Sequence, residues 1–278
     1  MEETDLRGSR NAKRTLRTLV GTLALSAVLG GLLVRGSDPQ KPVSEVTTSG
    51  IVIELNSEQG RTYLQNNRYA ADYWLLTQHY AAQANLTYCG VATAAMVLNS
   101  LPVVKEPIES PYGSYQYYTQ QNVFTEKVQG IIRPDQVASD GITLDQLAKV
   151  LGAFPTTVDV RHAENSTLDE FRSEAQANLL DPTNFLIVNY DRSILGQPGG
   201  GHISPVAAYH SGSDRFLILD VAPYKAPFVW VRAGDLWQAM LSIDKSTGRS
   251  RGFVFVEPRD PSRSQRTGTS TSDAASPR

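Results

Sequence analysis

The strongest constraint on the fold is a change of periodicity at Asn184. Upstream of it apolar residues recur at helical spacing, and downstream β-branched and aromatic runs come at short intervals separated by turn chemistry such as SGSD. The runs are NFLIVNY (Asn184–Tyr190), HISPVAAYH (His202–His210), RFLILDVAP (Arg215–Pro223), PFVWV (Pro227–Val231) and RGFVFV (Arg251–Val256). Before them, Cys89–Leu101 reads as an alanine-rich helix stopped by Pro102. Ile142–Leu151 reads as a second helix, with Leu144, Leu147, Val150 and Leu151 on one face and Thr143 as its N-cap, and Leu168–Leu180 as a third. Helices first and strands afterwards predict an α+β architecture in which a helical lobe packs on an antiparallel sheet lobe.

The ends of the chain carry different signals. Arg7, Arg10, Lys13, Arg14 and Arg17 precede an uncharged run, Thr18–Val34, which Arg35 closes. Its helical length of about 25 Å falls slightly short of the hydrocarbon core, so residues 1–35 are read as either a signal peptide or an N-terminal membrane anchor. With the basic flank held in the cytoplasm, the remainder faces the periplasm or lumen. Residues 36–49, with two prolines, read as a linker, and residues 257–278, almost free of apolar side chains, as a disordered polar tail. One domain remains, residues 50–256.

Composition serves mainly to exclude. Lys plus Arg number 26 and Asp plus Glu 28, a formal charge of -2 with no basic stripe, so nucleic acid is not an expected partner. The single cysteine forbids an internal disulfide, and four histidines at no ligand-like spacing argue against a structural zinc site.

That cysteine, Cys89, stands where the polar loop NLTY turns into a helix, a position whose free backbone N–H groups and dipole favour a thiolate. A thiolate nucleophile needs an imidazole to carry protons and a third group to orient it. His202 follows GQPGGG and opens a strand; Asp220 ends the next strand, eighteen residues on. An ideal hairpin register would put those two side chains on opposite faces, so a one-residue bulge is required, with Pro205 its natural place. Gln83, six residues before Cys89, is a candidate oxyanion donor together with the Cys89 backbone N–H. Each residue also has a bland reading: a core cysteine, a surface histidine, a turn-forming aspartate. In combination they follow the chain order Gln, Cys, His, Asp of papain-like enzymes.

YCGVATAAMVLNSL (Tyr88–Leu101), GITLDQLAKVL (Gly141–Leu151), NFLIVNYDR (Asn184–Arg192), GGGHISPVAAY (Gly199–Tyr209), DRFLILDVAPYKAPFVWV (Asp214–Val231) and RGFVFV, in this order, resemble the phytochelatin synthase family. The resemblance implies a papain-like cysteine protease fold and a γ-glutamylcysteine dipeptidyltransferase. Cys89 would attack the Cys-Gly bond of glutathione, His202 serve as base and then acid, Asp220 orient His202, and Gln83 support the oxyanion. Arg192 and Arg251, with Gly201 beside them, would bind the γ-glutamyl carboxylate. No cofactor is required; a heavy-metal ion such as Cd2+ would enter as a glutathione thiolate complex. Glutathione and γ-Glu-Cys peptides are the implied partners, and a homodimer is left open. The chain departs from the family pattern twice. The tail holds none of the cysteines of the C-terminal region that the resemblance links to metal response, which excludes metal sensing by such a region, and Pro223 stands where an arginine is usual. Both departures favour hydrolysis to γ-Glu-Cys over transfer. Two other readings stay open: a papain-like leader peptidase of the bacteriocin-processing type, and a non-catalytic thiol-peptide binding module.

Overall fold

The computed structural model describes residues 50–105, 107–108 and 113–260. The run Thr18–Val34, the linker and the tail beyond residue 260 lie outside them; among the described residues no helix is long and apolar enough to cross a membrane.

Strand β1 (Val52–Glu54) leads through helices α1 (Glu58–Leu64) and α2 (Ala71–Gln78) to α3 (Cys89–Ser100). A two-stranded ribbon, β2 (Pro107–Ile108) and β3 (Tyr115–Gln116), precedes α4 (Glu126–Gln129), α5 (Pro134–Asp140) and α6 (Leu144–Gly152). There follow β4 (Thr156–His162), α7 (Leu168–Asn178), β5 (Phe185–Asp191), β6 (Gly201–His210), β7 (Arg215–Ile218), β8 (Val229–Arg232) and α8 (Ala233–Leu241). A second ribbon, β9 (Ile243–Asp244) and β10 (Arg249–Ser250), ends in β11 (Gly252–Pro258).

Seven strands form one antiparallel sheet in the order β1-β8-β7-β6-β5-β11-β4. Its central strands, β5, β6 and β7, are apolar on both sides, and both sides are covered. Phe185, Ile187, Ile203, Leu217, Trp230 and Val254 face α2, α3 and α6, while Leu186, Val188, Val206, Phe216, Ile218 and Phe253 face α7 and α8. The expected single helical lobe is therefore corrected to helices on both faces. Continuous apolar runs such as FLIV are the reason, since a strand with one wet face alternates.

Helix α3 is enclosed on all sides, buried from Gly90 to Asn99, and burying side chains such as Val91, Met96 and Leu98 contributes about 1.5–3 kcal/mol each. Thr143 caps α6 as the sequence predicts, its hydroxyl accepting from the Gln146 N–H while the Gln146 side chain accepts from the Thr143 N–H. Several elements escape the sequence reading, among them β4 and α8. Strand β4 is a half-exposed edge whose TTVDVRH is mostly polar, and α8 lies between two strand runs in a stretch left unassigned. At the C-terminal boundary the fold continues past Val256: β11 runs to Pro258, and the Arg259 guanidinium donates to the carbonyls of Gly152, Phe154 and Thr156.

Candidate active site

The β6–β7 hairpin decides whether His202 and Asp220 can meet. From the turn, His210 pairs with Arg215, Tyr209 with Phe216 and Ala208 with Leu217; then the register slips by one, and Val206 pairs with Ile218. The bulge falls at Ala207, two residues beyond the Pro205 that the sequence suggests, and it leaves Ala207 and Ala208 both in the core under α3. Pro205 stays in the ladder through its carbonyl, which accepts from the Leu219 N–H at 3.1 Å. In the shifted register Asp220 falls opposite Ser204 and so shares a face with His202.

There His202 Nε2 lies 3.0 Å from Asp220 Oδ1. Asp220 has no solvent exposure, and the same oxygen accepts the Ala222 N–H at 2.7 Å and Arg192 Nη2. The Tyr190 hydroxyl approaches Oδ2 at 3.4 Å and the Tyr190 ring meets the His202 ring edge-on, while the Tyr80 hydroxyl donates to the Asp220 carbonyl at 2.9 Å. Arg192 Nη2 also lies 2.9 Å from His202 Nε2; with Nε2 protonated toward the carboxylate, two donors converge on one oxygen and this contact is their proximity. The other ring nitrogen, Nδ1, is left to serve Cys89.

Cys89 is the first residue of α3, half-buried, and the helix start has no side-chain cap; of its N–H groups, that of Gly90 serves the sulfur. Burial pushes the thiol up, but the hydrogen bond and charge of His202 and the backbone N–H groups of Ile203 and Gly90 outweigh it and hold the thiol below its usual value. Burial lowers His202, and hydrogen bonds to Asp220 and Cys89 with their negative charges more than offset that, so the imidazole sits above its usual value. Both directions favour a thiolate and imidazolium pair. Gly90 lets the helix start come close: a Cβ there would lie 2.2 Å from Ile142 Cγ2.

Cys89 and His202 line a cleft of about 510 Å³ bounded by Leu86, Gly141–Thr143, Asn189, Gly200, Gly201, Arg251 and the β9–β10 ribbon. Gly201 makes room for Arg251, whose guanidinium occupies the space a side chain would take, 2.4 Å from where a Cβ would stand. Arg251 donates to Asn189 Oδ1 at 3.0 Å and lies 3.5 Å from Asp244 Oδ2. Asp244, which the sequence reading missed, is held by the Ser246 N–H and hydroxyl on its Oδ1. A paired guanidinium and carboxylate suit a zwitterionic amino-acid head. The only signal for Asp244 lay in the ribbon's turn, SIDKSTGRS, seven residues before Arg251.

Two expected residues sit elsewhere. Arg192, expected to meet substrate, does not line the cleft; it is 1 % exposed behind the histidine, because its backbone N–H bonds the Gly200 carbonyl and turns the side chain inward onto Asp220. Gln83 is buried, its backbone N–H bonded to the Val221 carbonyl at 2.7 Å and its Nε2 to the Asn85 carbonyl at 2.6 Å. Its Oε1 is unpartnered. Of the other histidines, His162 is a structural bridge between Asp145 and the Ser250 carbonyl. A larger depression of about 650 Å³, lined by Leu55, Trp74 and Phe228 among others, is apolar and contains no nucleophile and base pair. Among the described residues no three His, Cys, Asp or Glu side chains gather as a metal site.

A thiol at an uncapped helix start, with an imidazole and a buried carboxylate on neighbouring strands, is the arrangement that thiol-based acyl transfer requires. The chain belongs to the phytochelatin synthase family, whose profile matches residues 43–253. It is 31% identical over 208 residues to glutathione gamma-glutamylcysteinyltransferase 1 of Lotus japonicus, covering 73% of this chain and 40% of that one. The Schizosaccharomyces pombe glutathione gamma-glutamylcysteinyltransferase is 30% identical over 67% of this chain and 44% of its own, and Arabidopsis thaliana glutathione gamma-glutamylcysteinyltransferase 2 is 34% identical over 65% and 38%. The chain thus spans less than half the length of these relatives.

Proposed function

We propose that the chain is a papain-like cysteine enzyme that cleaves the Cys-Gly bond of glutathione through a γ-Glu-Cys acyl-enzyme and releases glycine. The observation that carries this reading is a cleft shared by Cys89, its His202–Asp220 relay and the Arg251–Asp244 pair, the last suited to the carboxylate and ammonium of a γ-glutamyl head. The names of the relatives, all glutathione gamma-glutamylcysteinyltransferases, support the same substrate.

The geometry supports the following steps. The Cys89 thiolate attacks the carbonyl of the Cys-Gly bond, and the oxyanion is received by the Cys89 N–H at the helix start, joined by Gln83 once its amide turns from the Asn85 carbonyl. The His202 imidazolium gives its Nδ1 proton to the departing glycine amine, and the thioester then stands against neutral imidazole. Water activated by His202 yields γ-Glu-Cys. A second glutathione in place of water yields a phytochelatin, the minor route here because Pro223 supplies no charge to an acceptor. Metal enters as a thiolate complex of that acceptor, not as a resident ion. The basic flank and uncharged run before residue 36 support a periplasmic or membrane-anchored location; recovery of the whole chain as soluble cytoplasmic protein would contradict it.

Chromatography of products at high glutathione, with and without Cd2+, tests the reading: γ-Glu-Cys and glycine should dominate. Predominant longer γ-Glu-Cys chains would overturn the preference for hydrolysis, and glycine release undiminished in a folded Cys89→Ser variant would overturn the mechanism.

A further inference from the structure

The cleft carries more recognition than a γ-glutamyl head uses. Of the formally charged side chains on its wall besides His202, Asp140, Asp191 and Asp244 are negative and only Arg251 and Lys245 positive. Arg251 is already balanced by Asp244 and tied to Asn189. Lys245 is different: it is exposed on the cleft wall and makes no hydrogen bond or ion pair among the described residues.

Its backbone is nonetheless fixed. The Asp244 carbonyl accepts from the Thr247 N–H at 3.1 Å and the Gly248 N–H at 2.8 Å, and Asp244 Oδ1 accepts from Ser246, so Lys245 sits inside a closed turn whose other members bind each other. Gly248 completes the turn at φ +72°. The turn holds one uncommitted ammonium over a cleft that is otherwise balanced or acidic.

Charge matching then selects a ligand. A zwitterionic head satisfies the Arg251–Asp244 pair and leaves nothing for Lys245, whereas a peptide with a second, free carboxylate leaves one negative charge to be placed. Asp140 and Asp191 repel it, and Lys245 alone receives it. We propose that Lys245 reads the free carboxylate of the substrate's C-terminal glycine and so selects donors that end in an unblocked residue. The inference rests on the glutathione reading above and adds a specificity-determining residue to it.

The test compares glutathione with its glycine ethyl ester as donors for the full chain, scored as γ-Glu-Cys formed. The unaltered protein is expected to prefer glutathione about tenfold in kcat/KM, expressed mainly in KM, the effect of one partly exposed charge-assisted contact. Lys245→Met should bring the acid-to-ester ratio close to one, and Lys245→Arg should keep most of it. A ratio near one in the unaltered protein, a ratio that Lys245→Met leaves intact, or an equal loss on both donors would each overturn the proposal. γ-Glu-Cys from neither donor with the unaltered protein would overturn the substrate reading beneath it.

Discussion

Arg192 and Asp220 form an ion pair with almost no access to water, and such a pair persists where each charge keeps further partners. Asp220 has them in His202 and the Ala222 N–H; Arg192 commits Nη2 and leaves Nε and Nη1 unpartnered. Its arrangement is that of a positioning residue. Arg192→Lys, which keeps the charge and loses the planar fork, is predicted to lower kcat for glycine release about 10- to 100-fold through misplacement of His202, with KM little altered. A rise in KM at constant kcat would restore the substrate contact expected from sequence. The inward turn of Arg192 was not legible for a physical reason: an arginine after a strand reads alike whether the following turn aims it outward or inward, and here its N–H is tied to the Gly200 carbonyl. Cys89, His202 and Asp220 were legible because their chemistry demands one another; Gln83 was legible as a residue type, while its bond to Asn85 was not. A second buried acid was not legible at all. Asp72, on α2, is fully buried with both oxygens unpartnered, and burial, with the nearby charge of Asp181, raises its carboxyl to about 8. With the folded value above the unfolded one, its contribution to stability is full below about pH 4 and is lost as pH rises toward about 8. Asp72→Asn should therefore stabilise the protein, by an amount that grows between pH 5 and pH 8 at up to about 1.4 kcal/mol per pH unit. Thermal melts at the two ends of that window check it, and an equal gain at both would refute it.

At the scale of elements, the site depends on how closely α3 approaches its neighbours. Gly90 and Ile142 meet where the helix start joins the cleft wall, and Gly90→Ala drives a methyl into Ile142 Cγ2. The expected cost is about 1–3 kcal/mol, with loss of activity as Cys89 is displaced. Ile142→Ala removes the clashing methyl and should recover part of both in the double variant; additive losses, read by chemical denaturation and glycine release, would contradict the packing account. The capping threonine of α6 and the need for a bulge in β6 could be read from sequence because each is a local rule. The bulge's position could not, since Ala207 is set by α3 pressing on two successive alanines, a contact over 100 residues apart in the chain. Strand β4 and helix α8 were missed because one is an exposed edge and the other is a nine-residue helix with no capping side chain to mark its start.

For the whole molecule, the change of periodicity at Asn184 correctly separated helix-rich from strand-rich halves but not the layers. Periodicity reports how many faces of a strand are buried; it does not report that α7, from before the switch, and α8, from after it, return to cover the second face. The resulting two-sided burial makes the sheet a rigid support, and the thiol, imidazole and carboxylate are held by three elements anchored in it. On the proposed function, this support serves to form one covalent bond, between Cys89 and a γ-Glu-Cys acyl group. Rapid acid quench of the full chain mixed with glutathione, followed by intact mass measurement, tests it directly. The expected product is an adduct of one γ-Glu-Cys acyl group on Cys89, cleaved by hydroxylamine and not by a reducing thiol, formed together with one equivalent of glycine. Glycine released with no such thioester, or only a thiol-reducible disulfide on Cys89, would contradict it.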